Sequence, residues 1–78
     1  MDRFEAMRTL VAVVDGGSLS AASRSLGMPL PTISRRVSDL ETHLGSRLLV
    51  RTSRKLVLTE AGEAFTAVAR RLLDDLAD

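Results

Sequence analysis

Apolar side chains recur at Phe4, Met7, Val11 and Val14, with Leu10 beside them, the three- and four-residue spacing that lines one face of an α-helix. The pattern predicts a first amphipathic helix from about Asp2 to Val14. Gly16-Gly17 predicts its end, because glycine enters the left-handed conformation of a helix C-cap without a Cβ penalty. Ser18 or Ser20 can then cap a second, short helix that turns Leu19, Ala22 and Leu26 inward, and Gly27 closes it. Pro29 and Pro31 are excluded from a helix interior but tolerated in a first turn, so a third helix is predicted to begin near them. Its apolar stripe is Ile33, Val37, Leu40 and Leu44, and Gly45 stops it.

Beyond Gly45 the period shortens. Leu48-Leu49-Val50 and Leu56-Val57-Leu58 are β-prone runs on either side of the basic stretch Arg51 to Lys55, which predicts a small hairpin. Thr59 offers an N-cap and Glu60 a first-turn acid for a fourth, longest helix running to the end. Its stripe is Ala61, Phe65, Val68, Leu72 and Leu76, widened by Ala69, Leu73 and Ala77 to roughly half the circumference. The expected class is mainly α: a winged helix-turn-helix of three helices and a β-hairpin wing over residues 1–58, then a linker helix over 59–78.

Composition narrows the chemistry. The 78 residues suffice for one small domain, and no apolar run approaches the length of a membrane span. Together with the lack of a signal-peptide pattern at the start, this leads us to expect a soluble, unexported chain. Zero Cys and one His argue against disulfides, thiol catalysis and a Cys- or His-based metal site. No metal or cofactor is expected. The net charge of +1 hides an asymmetry. Residues 24–55 hold seven basic side chains against two acidic ones, a balance of +5, and the remainder holds four against eight, a balance of −4. A basic middle between acidic ends is the footprint of a polyanion partner.

In a winged helix-turn-helix the third helix enters the DNA major groove, and the second braces it against phosphates through its N-terminus, here Ser18 and Ser20. The residues off the core stripe, Thr32, Ser34, Arg35 and Arg36, are the expected groove-facing set. Arginine can bond two acceptors of guanine at once, threonine can meet a thymine methyl or a base edge, and Ser34 suits a phosphate. Arg51, Arg54 and Lys55 at the hairpin tip suit the backbone or the narrow minor groove, which adds affinity more than sequence choice.

Four segments, Ala21-Ala22-Ser23-Arg24-Ser25-Leu26-Gly27, Ser34 to Glu41, Leu44 to Arg51, and Leu58-Thr59-Glu60-Ala61-Gly62, resemble in order and spacing the amino-terminal domain of LysR-type bacterial transcriptional regulators. The resemblance spans essentially the whole chain. It implies a sequence-specific domain that binds double-stranded operator DNA in the bacterial cytoplasm. It also implies a homodimer paired through the fourth helix, with Phe65, Val68, Leu72, Leu73 and Leu76 as its contacts, reading two half-sites of an interrupted palindrome. Complete family members bind a small-molecule effector through a further domain, so this chain is expected to be an isolated DNA-binding portion. Carried over by position, the groove readers are Leu30, Pro31, Ser34 and Arg35, and the minor-groove arginine is Arg54. The chain departs from the family at Pro29-Leu30, where many members have Ser-Gln. A side-chain cap and a base-reading amide are both absent there, and Leu30 offers an apolar contact instead.

The sequence leaves two rival readings. Glu60 and Glu63 form the one candidate carboxylate pair for an enzyme, but a helix start accounts for them, and no nucleophile, base and orienting group occur together. A wide apolar fourth helix would also suit a protein-interaction module. His43 at the end of the third helix reads as a capping or surface residue, Arg24 as a phosphate contact or a solvated side chain, and Arg47 as a DNA contact or a structural side chain.

Overall fold

The computed structural model describes residues 1–52 and 55–77, arranged as α1 (Arg3–Gly16), α2 (Leu19–Leu26), α3 (Leu30–Leu44), β1 (Leu49–Arg51), β2 (Leu56–Leu58) and α4 (Glu60–Ala77). Arg54, expected in the wing, and Asp78 lie outside the described residues.

Local chemistry sets most boundaries. Asp2 is the N-cap of α1 rather than its first residue, with Oδ1 accepting from the amides of Phe4 and Glu5 at 3.0 and 3.1 Å. The helix runs two residues beyond Val14 because Gly17, at φ 80°, supplies the left-handed cap and donates to the Val13 carbonyl. Of the two candidate serines, Ser18 caps α2, accepting from Ala21 N–H at 3.0 Å. Helix α3 has no side-chain cap: Thr32 and Ile33 donate to the carbonyl of Pro29. Strands β1 and β2 pair antiparallel with Leu49 opposite Leu58, Val50 opposite Val57 and Arg51 opposite Leu56. The first strand thus starts one residue later than the apolar run, and Leu48 is buried ahead of it.

The core gathers Leu10 and Val13 of α1, Ala22 of α2, Ile33, Val37 and Leu40 of α3, and Leu48 and Leu49 at the wing root. Burying side chains the size of Leu10, Ile33 and Leu48 contributes roughly 1.5–3 kcal/mol each. Two expected stripes are corrected. On α1 the buried residues are Ala6, Thr9, Leu10 and Val13, whereas Phe4 is 48% exposed and Met7, Val11 and Val14 are half-buried. Ala6 and Thr9 are small enough to let neighbouring helices approach, and the Thr9 hydroxyl is satisfied locally by donating to the Glu5 carbonyl at 2.7 Å. On α3 the stripe ends at Leu40, because Leu44 in the last turn is exposed.

Helix α4 starts as expected, with Thr59 Oγ1 accepting from Gly62 N–H at 2.9 Å. It packs along α1 and against the wing, with Gly62, Phe65, Thr66, Ala69 and Leu73 buried or half-buried, and leaves Ala61, Val68, Leu72 and Leu76 outward. The expected stripe is therefore divided between two faces. Thr66 is buried with no hydrogen-bond partner for its hydroxyl among the described residues. No described helix is long and apolar enough to cross a membrane.

Candidate nucleic-acid interface

Three elements converge on one cleft of about 550 Å³: Ser18, Leu19 and Ser20 from the start of α2, Leu30, Pro31 and Ser34 from the start of α3, and Arg51, Thr52, Lys55 and Leu56 from the wing. This meeting follows from local sequence. Gly27, at φ 66°, reverses the chain after α2, Met28 N–H returns to the Ser23 carbonyl at 3.1 Å, and the Ser23 hydroxyl donates to the Met28 carbonyl. Pro29 and Pro31 then restrict the backbone to one direction for the start of α3.

With Ile33, Val37 and Leu40 turned to the core, the opposite side of α3 presents Pro31 and, one turn later, Arg35. Arg35 is exposed and has no ion pair among the described residues. Ser34 and Leu30 face the cleft, with Leu30 43% exposed, and Thr32 is half-buried on the other flank. Arg51 and Lys55 are exposed at the wing, where Thr52 N–H donates to the Lys55 carbonyl at 2.9 Å and Thr52 Oγ1 accepts from Lys55 N–H at 3.0 Å. Among the described residues of the predicted set, only Arg36 lies in an ion pair, its Nη1 3.2 Å from Glu5 Oε2 on α1.

The wing is anchored by a residue to which sequence reasoning assigned no role. Glu41 of α3 accepts from the amides of Leu48 and Leu49 at 2.7 and 3.2 Å, and Arg47 Nε lies 3.7 Å from the same oxygen. Arg47 also donates to the Leu49 carbonyl, so its contacts here are structural. Helix α3 thus holds the strand that leads to the wing tip. Its signal was faint: Glu41 and Asp39 are the only acids in the basic segment.

On α4, Val68, Leu72 and Leu76 are 48%, 40% and 61% exposed, while Phe65 packs against the core and Leu73 lines a groove with Val11, Ala12 and Leu26. Arg70 on α4 donates to Asp15 at the end of α1 through both terminal guanidinium nitrogens, Nη1 and Nη2. That hydrogen bond holds the Asp15 carboxyl below its ordinary value and raises Arg70, against the opposing effect of burial. His43 and Arg24 are exposed near the ends of α3 and α2. No group of three potential metal ligands occurs among the described residues.

Three helices around one core, the third flanked by a two-stranded basic wing, make this a winged helix-turn-helix, a class of DNA-binding domain. The model of bacterial regulatory helix-turn-helix proteins of the lysR family matches residues 4–63. The chain is 50% identical over 76 residues, 97% of its length, to an HTH-type transcriptional repressor of Pseudomonas aeruginosa, of which it covers 24%. It is 41% identical over its full 78 residues to the HTH-type transcriptional activator AaeR of Escherichia coli K12, of which it covers 25%. Among solved structures, the BenM DNA-binding domain in complex with catB site 1 DNA superposes with a TM-score of 0.93 at 35% identity, over 99% of this chain and 85% of that one. The CbnR DNA-binding domain bound to DNA gives 0.92 at 38%, over 99% and 87%. The chain belongs to the LysR family of bacterial regulatory helix-turn-helix proteins, as its helix-turn-helix DNA-binding domain. Its relatives are transcriptional regulators, not enzymes, and it spans about a quarter of their length.

Proposed function

We propose that this chain reads a bacterial operator in double-stranded DNA as a homodimer, with α3 in the major groove and the wing over the minor groove or backbone. The observation that carries this reading is the convergence of the α2 start, the α3 start and the basic wing on one cleft, beside an exposed Arg35. Two neighbours at 35% and 38% identity were solved on DNA, which supports the same mode of docking. Pro31, Leu30, Thr32, Ser34 and Arg35 are the groove readers. Ser18, Ser20, Arg51 and Lys55 face phosphates, and Arg54, from its place in the sequence, joins the wing contacts.

Residues 59–78 serve as linker and pairing helix, with the outward Val68, Leu72 and Leu76 as the main contact and Phe65 and Leu73 at its margin. An apolar stripe exposed on a helix that already packs its other side supports a second copy as its cover. Two copies read the half-sites of an interrupted palindrome. A further domain binds the small-molecule effector in the longer protein, which acts in the cytoplasm.

Fluorescence anisotropy tests the reading. DNA selected from a random-sequence pool by this chain should bind tightly with a steep salt dependence, and a scrambled duplex should bind more weakly with a similar slope. Absence of salt-dependent binding to any duplex would overturn it.

A further inference from the structure

At the edge of the groove-facing surface one carboxylate holds two guanidinium groups. Glu5 of α1 lies 2.9 Å from Arg8 Nη1 through Oε1 and 3.2 Å from Arg36 Nη1 through Oε2. Arg36 follows Arg35 directly, but the helical step of about 100° turns it away from the groove-facing side towards α1. The two adjacent arginines therefore meet different surroundings: Arg35 has no ion pair among the described residues, and Arg36 is engaged. The Arg36 and Glu5 side chains are 32% and 39% exposed, so the pair is open to solvent and within reach of competition by another anion.

An ion pair this exposed contributes little to folding. Its larger consequence is for the field beside the recognition helix. Glu5, Arg8 and Arg36 together carry +1, and without the carboxylate they would carry +2. A cation beside the base-reading residue that grips phosphate adds the same affinity to every sequence, and so raises binding to wrong sites without improving discrimination.

On the reading that α3 enters a DNA groove, we infer that Glu5 is a specificity-setting residue: it withholds Arg36 from the phosphate backbone and leaves recognition to Arg35. Glu5 touches no base or phosphate in this scheme and acts by positioning Arg36.

The test compares the wild-type chain with Glu5→Gln, Arg36→Ala and the double variant, each titrated on a random-sequence duplex and on the duplex selected by the wild type across a salt series. Circular dichroism confirms folding, and the Asp2 cap is untouched by these changes. Glu5→Gln should bind the random duplex about threefold tighter at low salt, with a salt slope steeper by about 0.9, the increment of one added phosphate contact. Its preference for the selected duplex should fall. Arg36→Ala alone should stay close to the wild type on both duplexes, and the double variant should lose the gain. A Glu5→Gln slope equal to wild type, or a gain that persists in the double variant, would overturn the role given to Glu5 while leaving DNA reading intact. A wild-type chain that binds no duplex would overturn both.

Discussion

A Cβ added to Gly62 of α4 would lie 2.1 Å from the carbonyl oxygen of Leu48 at the wing root, far inside van der Waals contact. That oxygen already accepts from Thr59 N–H at 3.0 Å, so it is fixed in place and unable to yield. Glycine here lets the start of α4 lie flat on the root of the wing.

Gly62→Ala should therefore destabilise the domain even though alanine is the better helix former. Overpacking against fixed backbone costs about 2–3 kcal/mol, and the gain in helix propensity offsets about 1. A net loss of 1–2 kcal/mol corresponds to a fall in Tm of roughly 5–15 °C for a domain of this size. Thermal denaturation followed by circular dichroism checks it, and an unchanged Tm would mean that the root of the wing can move.

Glu41→Ala should unfasten the wing from α3. Two amide hydrogen bonds to one carboxylate oxygen are lost, the shorter worth about 1.5–3 kcal/mol net and the longer, at 3.2 Å, less. Stability should drop by about 2–3 kcal/mol, and DNA affinity should weaken at a temperature where the variant is still folded. Glu41→Gln, which keeps one acceptor oxygen, should fall between. Urea denaturation with parallel anisotropy titrations separates the two effects.

Arg35→Ala and Lys55→Ala should fail differently. Loss of Arg35 should cost about 1–3 kcal/mol on the selected duplex and relax preference at one base pair, whereas loss of Lys55 should weaken all duplexes alike and reduce the salt slope by about one. Equal losses on selected and scrambled DNA for Arg35→Ala would argue against base readout by that side chain.

Leu72→Asp should weaken pairing of two copies, since a charge would be buried at an apolar contact. Leu72 is 40% exposed in the single chain, so the monomer should keep its Tm. Sedimentation velocity should show a shift towards monomer, accompanied by weaker binding to paired half-sites. A sedimentation profile identical to wild type would place the contact elsewhere.

Thr66→Val should stabilise the fold. The Thr66 hydroxyl is buried without a partner among the described residues, and valine has nearly the same shape. Relief of that desolvation is worth about 1 kcal/mol, or a rise of roughly 4–8 °C in Tm. A lower Tm would show that the hydroxyl is solvated or bonded in solution.

Much of this protein is local and can be read from its sequence. Helix spacing at Ile33, Val37 and Leu40, glycine caps at Gly17, Gly27 and Gly45, and the paired β-prone runs each act within a few residues, so the element order and the winged helix-turn-helix follow without a structure. The basic middle segment follows by the same logic, and so does the outward placement of Pro31 and Arg35 on α3, because a helix with one apolar stripe has a defined opposite face. Tertiary structure decided which stripe on α1 is inside. Ala6 and Thr9 are weak hydrophobic signals, and they win over Phe4 because close helix packing rewards small volume, which hydropathy does not register. It also divided the apolar arc of α4 into a buried and an outward side, a choice set by where α1 lies. The contacts beside the candidate interface, Glu5 with Arg36 and Glu41 with the amides of Leu48 and Leu49, join residues 31, 7 and 8 positions apart. Charge pairing of that kind depends on the distance between folded elements, and no periodicity along a chain encodes it.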